Sequence, residues 1–205
     1  MEHKVVVLQR DRRPRAAEML AWAFQSDPLF VGLIPQPPAR HRALVKIFAG
    51  MVGYARHYGE VLTTPEVRGV ACWLPPGRTE VTPWRIAHAG LRLVWAALTV
   101  SQGRRKLLWT TTQHTEAVHK RLMTVPHWYL WLLGVAPDRQ GHGYGSALLQ
   151  PILVRADQEG TSCYLETQTR RNVAFYRRRG FQVAEMGLMP GVDLPVWHMV
   201  RSPQG

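Results

Sequence analysis

The feature that most constrains the fold is a strand, a glycine loop and a helix that follow one another without a spacer. Residues Trp128 to Val135 form a continuous apolar and aromatic run of strand length, as expected of a strand buried on both faces. Pro137-Asp138-Arg139-Gln140-Gly141-His142-Gly143-Tyr144-Gly145-Ser146 comes next, and then Ala147, Leu148, Leu149, Ile152, Leu153 and Ala156 recur at helical spacing. Glycines let backbone N–H groups turn toward a ligand without obstruction. The helix start adds unpaired amides and the positive end of its dipole, and the two together suit a pyrophosphate. The spacing is not G-x-G-x-x-G, because Ser146 stands where the third glycine would fall. No G-K-[ST] follows either, which argues against dinucleotide and P-loop sites.

A net charge of +12 over 205 residues calls for an anionic partner: a polyphosphate, nucleic acid or a membrane face. The excess of basic residues is shared by both halves of the chain, so there is no basic arm or tail, and no base-reading motif supports nucleic acid. Only Lys4, Lys46, Lys106 and Lys120 accompany the arginines, a skew that GC-rich codon usage produces without any function. With 46% hydrophobic and 20% charged residues, the chain can bury a sizeable core as one domain over residues 1–205. The start lacks the apolar stretch of a secretory signal. The longest uncharged run, 122–137, is too short to span a bilayer, so a soluble, cytoplasmic protein with no membrane partner is expected. Cys72 and Cys163 read as two buried thiols; neither a disulfide framework nor a metal site is expected.

Along the chain, Val5 to Leu8 reads as a strand and Arg13 to Gln25 as a helix. Ser26-Asp27-Pro28 and Pro35, Pro37 and Pro38 break the pattern before a second helix at about 39–57. Val61 to Thr63 and Gly69 to Leu74 read as an antiparallel hairpin stopped by Pro75-Pro76-Gly77. Two helical stretches follow, Trp84 to Val100 and then from Gly103 to about Met123. A buried helix pair explains their apolar stripe, while Trp84, Trp95 and Trp109 leave open a membrane-surface helix or a cover over a substrate.

Gln140-Gly141-His142-Gly143-Tyr144-Gly145 resembles the Q-x-x-G-x-G acetyl-CoA signature of the GNAT acyltransferase superfamily, with Val135-Ala136-Pro137 in its usual place before it. Tyr164-Leu165-Glu166-Thr167 and the segment from Asn172 to Phe181 resemble that family's later strand and helix. Trp128-Tyr129-Leu130, Arg171-Asn172, Phe175-Tyr176 and Trp197-His198-Met199 are similar to the puromycin N-acetyltransferase subfamily. The resemblance implies an α/β (α+β) fold: a mixed, mainly antiparallel central sheet flanked by helices, with a helical insertion between the third and fourth strands. It also implies acetyl-CoA as donor and direct attack by a primary amine of a small molecule in a ternary complex. Arg139, Gln140, Gly141, His142, Gly143, Tyr144, Gly145 and Ser146 would surround the phosphates, with His142 where many relatives carry Lys or Arg.

The chemistry sets further demands. The attacking amine must be neutral, which calls for a base, and Glu166 is the candidate; a structural carboxylate paired with Arg is the alternative reading. By the resemblance, the Val135 amide stabilises the oxyanion and Tyr176 protonates the departing thiolate. Asn172 lies one turn before Tyr176 and could hold the pantetheine or orient the phenol. For the acceptor, Tyr54, Trp73 and Trp128, with Glu166, are candidates to wall a cleft, and core packing is the competing reading of those aromatics. A catalytically silent acyl-CoA-binding module and a basic nucleic-acid-binding protein are the alternative functions. The oligomeric state is left open, a homodimer included.

Overall fold

A computed structural model describes residues 3–82, 84–85 and 102–204. Within them seven strands form one sheet: β1 (Val6–Val7), β2 (Glu60–Thr63), β3 (Gly69–Leu74), β4 (His127–Val135), β5 (Ser162–Thr167), β6 (Gln182–Met189) and β7 (Leu194–Arg201). Their spatial order is β1-β2-β3-β4-β5-β7-β6. Only the β4–β5 pair is parallel, so the sheet is mixed and mainly antiparallel. The apolar run of β4 suits its central place between two partners with helices on both faces. β2 and β3 form the expected hairpin.

Helices α1 (Arg13–Ala23) and α3 (Pro37–Tyr58) cover one face, where Ala16, Leu20, Leu44 and Phe48 meet Val70, Cys72 and Leu132. Helices α5 (Tyr144–Gln158) and α6 (Arg170–Arg177) cover the other, where Leu148, Leu149 and Ile152 meet Leu130, Leu165 and Met199. Between β3 and β4 lies α4 (Gln102–Leu122), which is the helical insertion the sequence suggests. The partner helix expected from Trp84 to Val100 lies almost wholly outside the described residues. Both cysteines are buried and free. No helix among the described residues is long and apolar enough to cross a membrane.

One element departs from the sequence reading. Ser26-Asp27-Pro28, expected to be a break, starts a further helix, α2 (Pro28–Leu33). The Asp27 side chain accepts from the Leu29 N–H at 3.0 Å and Pro28 occupies the first turn, which is the chemistry of a helix start. Arg40, nearly buried, then donates to the carbonyls of Gln25, Ile34 and Pro35 at 2.7–2.8 Å and ties this segment to α3.

Gly134 lets α1 approach β4. A Cβ there would lie 2.5 Å from Leu20 Cδ2 and 3.1 Å from Phe24 Cε2. Gly134→Val should therefore cost about 1–3 kcal/mol through overpacking, read as a lower denaturation midpoint in urea.

Candidate active site

The site begins where β4 and β5 part. Their ladder holds only at His127–Ser162, Trp128–Cys163 and Tyr129–Tyr164, yet β4 runs on to Val135 and β5 to Thr167. On the other edge of β4 the pairing with β3 slips: Cys72 faces Leu132 and Trp73 faces Leu130, so Trp131 is the extra residue of a bulge. A bulge bends its strand and increases its twist, which turns the end of β4 away from β5. The Ala136 N–H donates to the Arg68 carbonyl at 2.9 Å, on the β3 side. By strand alternation the N–H and C=O of Val135 point the opposite way, into the gap. Gln140 Nε2 reaches the Val135 carbonyl there at 3.3 Å.

The glycine loop closes one end of the gap. Gly141 and Gly143 have φ of 80° and 86°, in the left-handed region that favours glycine. Gly143 is the N-cap of α5, and no side chain caps that helix, so its first amides are open to an outside acceptor. Two further residues lean on this loop. Arg179 donates to the Ser146 hydroxyl and stacks over the Phe175 ring, with its guanidinium carbon 3.6 Å from the centroid. His3 stacks on Tyr144 at 3.8 Å and its Nε2 lies 2.7 Å from the His142 carbonyl. A pyrophosphate would meet backbone donors, a helix dipole and the Arg179 guanidinium.

On β5, Cys163 and Leu165 face α5, so Tyr164 and Glu166 face the side of α4. The Tyr129 hydroxyl donates to Glu166 Oε2 at 2.9 Å, and Oε1 is buried with no partner. Burial pushes the Glu166 pKa up to about 7, against the pull of the Tyr129 hydroxyl. No Arg pairs with it among the described residues.

The structure brings only some of the expected residues together. Asn172 Nδ2 donates to Thr167 Oγ1 at 3.0 Å, which sets the start of α6 at the end of β5. Tyr176, one turn on, is buried beside Phe175 and Phe181, and burial raises its pKa. Trp73 and Trp128 do not wall an acceptor cleft: both lie in the core under α5, on the face opposite Glu166. Strand alternation decides this, since Tyr129, not Trp128, shares the side of Glu166. Trp128 spends its indole N–H on Glu159 at 3.0 Å. Tyr54 is on the Glu166 side but fully buried, its hydroxyl donating to the Glu80 carbonyl at 3.1 Å.

The Acetyltransferase (GNAT) family profile matches residues 86–181. An uncharacterized N-acetyltransferase of Schizosaccharomyces pombe is 28% identical over 198 residues, which cover 93% of this chain and 79% of that protein. The fold is shared with the structure described as histone acetyltransferase HPA2 and related acetyltransferase from Corynebacterium glutamicum. It has a TM-score of 0.67 and 23% identity, covering 100% of this chain and 98% of that one. A mosquito structure from Aedes aegypti, named as arylalkylamine N-acetyltransferase 7, has a TM-score of 0.64 and 13% identity, covering 98% of this chain and 87% of that one. Together these likenesses support membership of the GNAT acetyltransferase superfamily. The puromycin-type subfamily is one of many relatives of this acetyltransferase.

The family uses acetyl-CoA as acetyl donor, and the uncapped start of α5 beside Arg179 fits its phosphates. Sequence reasoning missed four residues beside this candidate site. Arg179 was visible as the end of the run Arg177-Arg178-Arg179. Tyr129 and His198 stood in motifs quoted for the resemblance, but a strand pairing is needed to bring them to Glu166. Nothing in the sequence signals that His3 reaches the loop.

A carboxyl whose folded pKa is raised binds a proton in the native state that it loses when unfolded. Stability therefore falls as pH rises from about 4 toward 7, and the cost is complete above that value. Glu166→Gln, which removes the buried charge, should stabilise the acetyltransferase by about 3 kcal/mol at pH 8 and by little near pH 4. Denaturant titrations of both proteins at the two pH values measure the difference.

Proposed function

We propose that this acetyltransferase moves an acetyl group from acetyl-CoA to the primary amine of a small molecule, by direct attack within a ternary complex. The observation that carries the reading is Glu166: a buried carboxylate with one unpaired oxygen and a pKa near 7, on the strand that parts from β4. Such a group is poised to take a proton from an ammonium near neutral pH. Bound acetyl-CoA supplies the activated thioester. The Val135 N–H, pointing into the gap, would meet the negative charge that develops on the acyl oxygen. Tyr176 is kept protonated by burial, the form that can donate to the departing sulfur. Asn172 would hold that end of α6 in place.

A small acceptor is favoured if the close approach of three elements, α2, α4 and the β6–β7 turn, covers the gap. Helix α2 and the β6–β7 turn approach each other where a Cβ on Gly32 would lie 3.8 Å from Val192. The same turn touches α4 at Gly191 and Leu107. A roof of this kind limits the length of chain that can cross the site, which favours a compact amine over a protein segment.

Acetyl-CoA at about 100 times its Kd should stabilise the protein by about 2.7 kcal/mol, read as a rise in Tm. Tyr176→Phe is expected to lower kcat at least tenfold with acetyl-CoA affinity near wild type. Full activity of that variant at saturating substrates would remove Tyr176 from the mechanism. A protein that binds acetyl-CoA but releases no thiol with any member of an amine panel would instead be a silent acyl-CoA-binding module.

A further inference from the structure

The sheet face under α4 is not an ordinary core. Tyr129, Tyr164, Glu166 and His198 line it, and Glu166 and His198 face each other directly across β5 and β7. Tyr164 Oη lies 2.6 Å from His198 Nδ1, the closest polar contact either group makes among the described residues. The ring of His119 lies parallel to Tyr164, 4.1 Å away, and holds the phenol in place. His119 is itself anchored, its Nε2 2.7 Å from His127 Nε2, while the His127 Nδ1–H donates to the Val125 carbonyl at 2.7 Å.

The Tyr164 hydroxyl has one proton, and that proton decides the state of the carboxylate next to it. A buried hydroxyl hydrogen needs an acceptor, and His198 Nδ1 is the one in hydrogen-bond geometry. His198 is deeply buried and neutral, so one ring nitrogen carries a proton and the other accepts; with that proton on Nε2, Nδ1 is the acceptor for the Tyr164 hydroxyl. The Tyr164 oxygen is also close enough to Glu166 to hold its pKa down if its hydrogen turned that way. With the hydrogen on His198, Glu166 Oε1 is left bare and Tyr129 is the carboxylate's one side-chain donor.

We propose that His198 is a positioning residue for catalysis: by accepting the Tyr164 hydroxyl proton it denies that proton to Glu166 and so keeps the carboxylate a strong base. This rests on the reading of Glu166 as the base. Other ionisable groups face the pair from neighbouring elements: Glu116, His114 and Arg121 from α4, and Glu185 from β6. Glu116 disfavours a charge on Glu166, while His114 and Arg121 disfavour one on His198. Arg121 neutralises Glu185 through two hydrogen bonds of 2.8 and 2.6 Å. None of these groups changes when His198 or Tyr164 is replaced by Phe.

The test is the titration of Glu166 itself, followed by carboxyl carbon NMR on the full chain and assigned with Glu166→Gln. His198→Phe should lower the Glu166 pKa by about one unit, because Tyr164 then donates to the carboxylate. Tyr164→Phe should leave it at the wild-type value, and the double variant should match Tyr164→Phe. A rise in Tyr164→Phe would mean that its proton already sits on Glu166 and would overturn the proposal. So would an unmoved pKa in His198→Phe, or a double variant that follows His198→Phe. If His198→Phe does not fold, the Tyr164→Phe result decides alone. The acidic limb of kcat/KM should follow the NMR value in each variant. If the NMR values move as expected and that limb does not follow, Glu166 is not the base, while its coupling to His198 stands.

Discussion

Everything in this acetyltransferase depends on two parallel strands that stop pairing. After Tyr129 and Tyr164 the backbone groups of β4 and β5 have no ladder to complete, and a buried strand does not give up hydrogen bonds without compensation. The bulge at Trp131 supplies the geometry, since the extra residue bends β4 while its pairing with β3 continues to Val135. Open donors in a gap between two strands are a liability in an empty fold and an asset in one that binds an amide-bearing chain. The uncapped start of α5 follows from the glycine loop that continues β4 beyond the same break.

The second constraint is the polar layer between the sheet and α4. Placing Tyr129, Tyr164, Glu166, His119 and His198 where a core would hold aliphatic side chains costs stability, and the raised pKa of Glu166 expresses part of that cost. The hydroxyls and rings meet one another's needs in pairs, Tyr129 with Glu166, Tyr164 with His198 and His119 with His127. Glu166 Oε1 is the atom left over. A buried acceptor without a donor is expensive to keep.

Much of this was legible in the residues. The apolar run of β4 and the glycines after it imply strand, loop and helix in that order, because no other backbone accommodates them. The hairpin of β2 and β3 and the helices α1 and α3 follow from local spacing. α2 was hidden because Asp27-Pro28 reads equally as a turn or as a helix start, and burial of the following Leu33 selects the helix. Glu166 and Tyr176 could be placed on their elements, but not the faces on which their neighbours fall. Trp73 and Trp128 show the difficulty: each alternates onto the α5 side, and a bulge at Trp131 resets the parity of β4.

The sequence alone determined the order of elements, the backbone freedom of the glycine loop and the types of side chain available for proton transfer. These depend on backbone freedom, apolar periodicity and chemistry carried by single residues. Only the tertiary structure decided which of those side chains meet. The gap between β4 and β5, the reach of Arg179 to Ser146 and the row from Tyr129 to His198 join residues far apart in the chain. Strand pairing, register and one extra residue bring them together, and none of the three has a local signature.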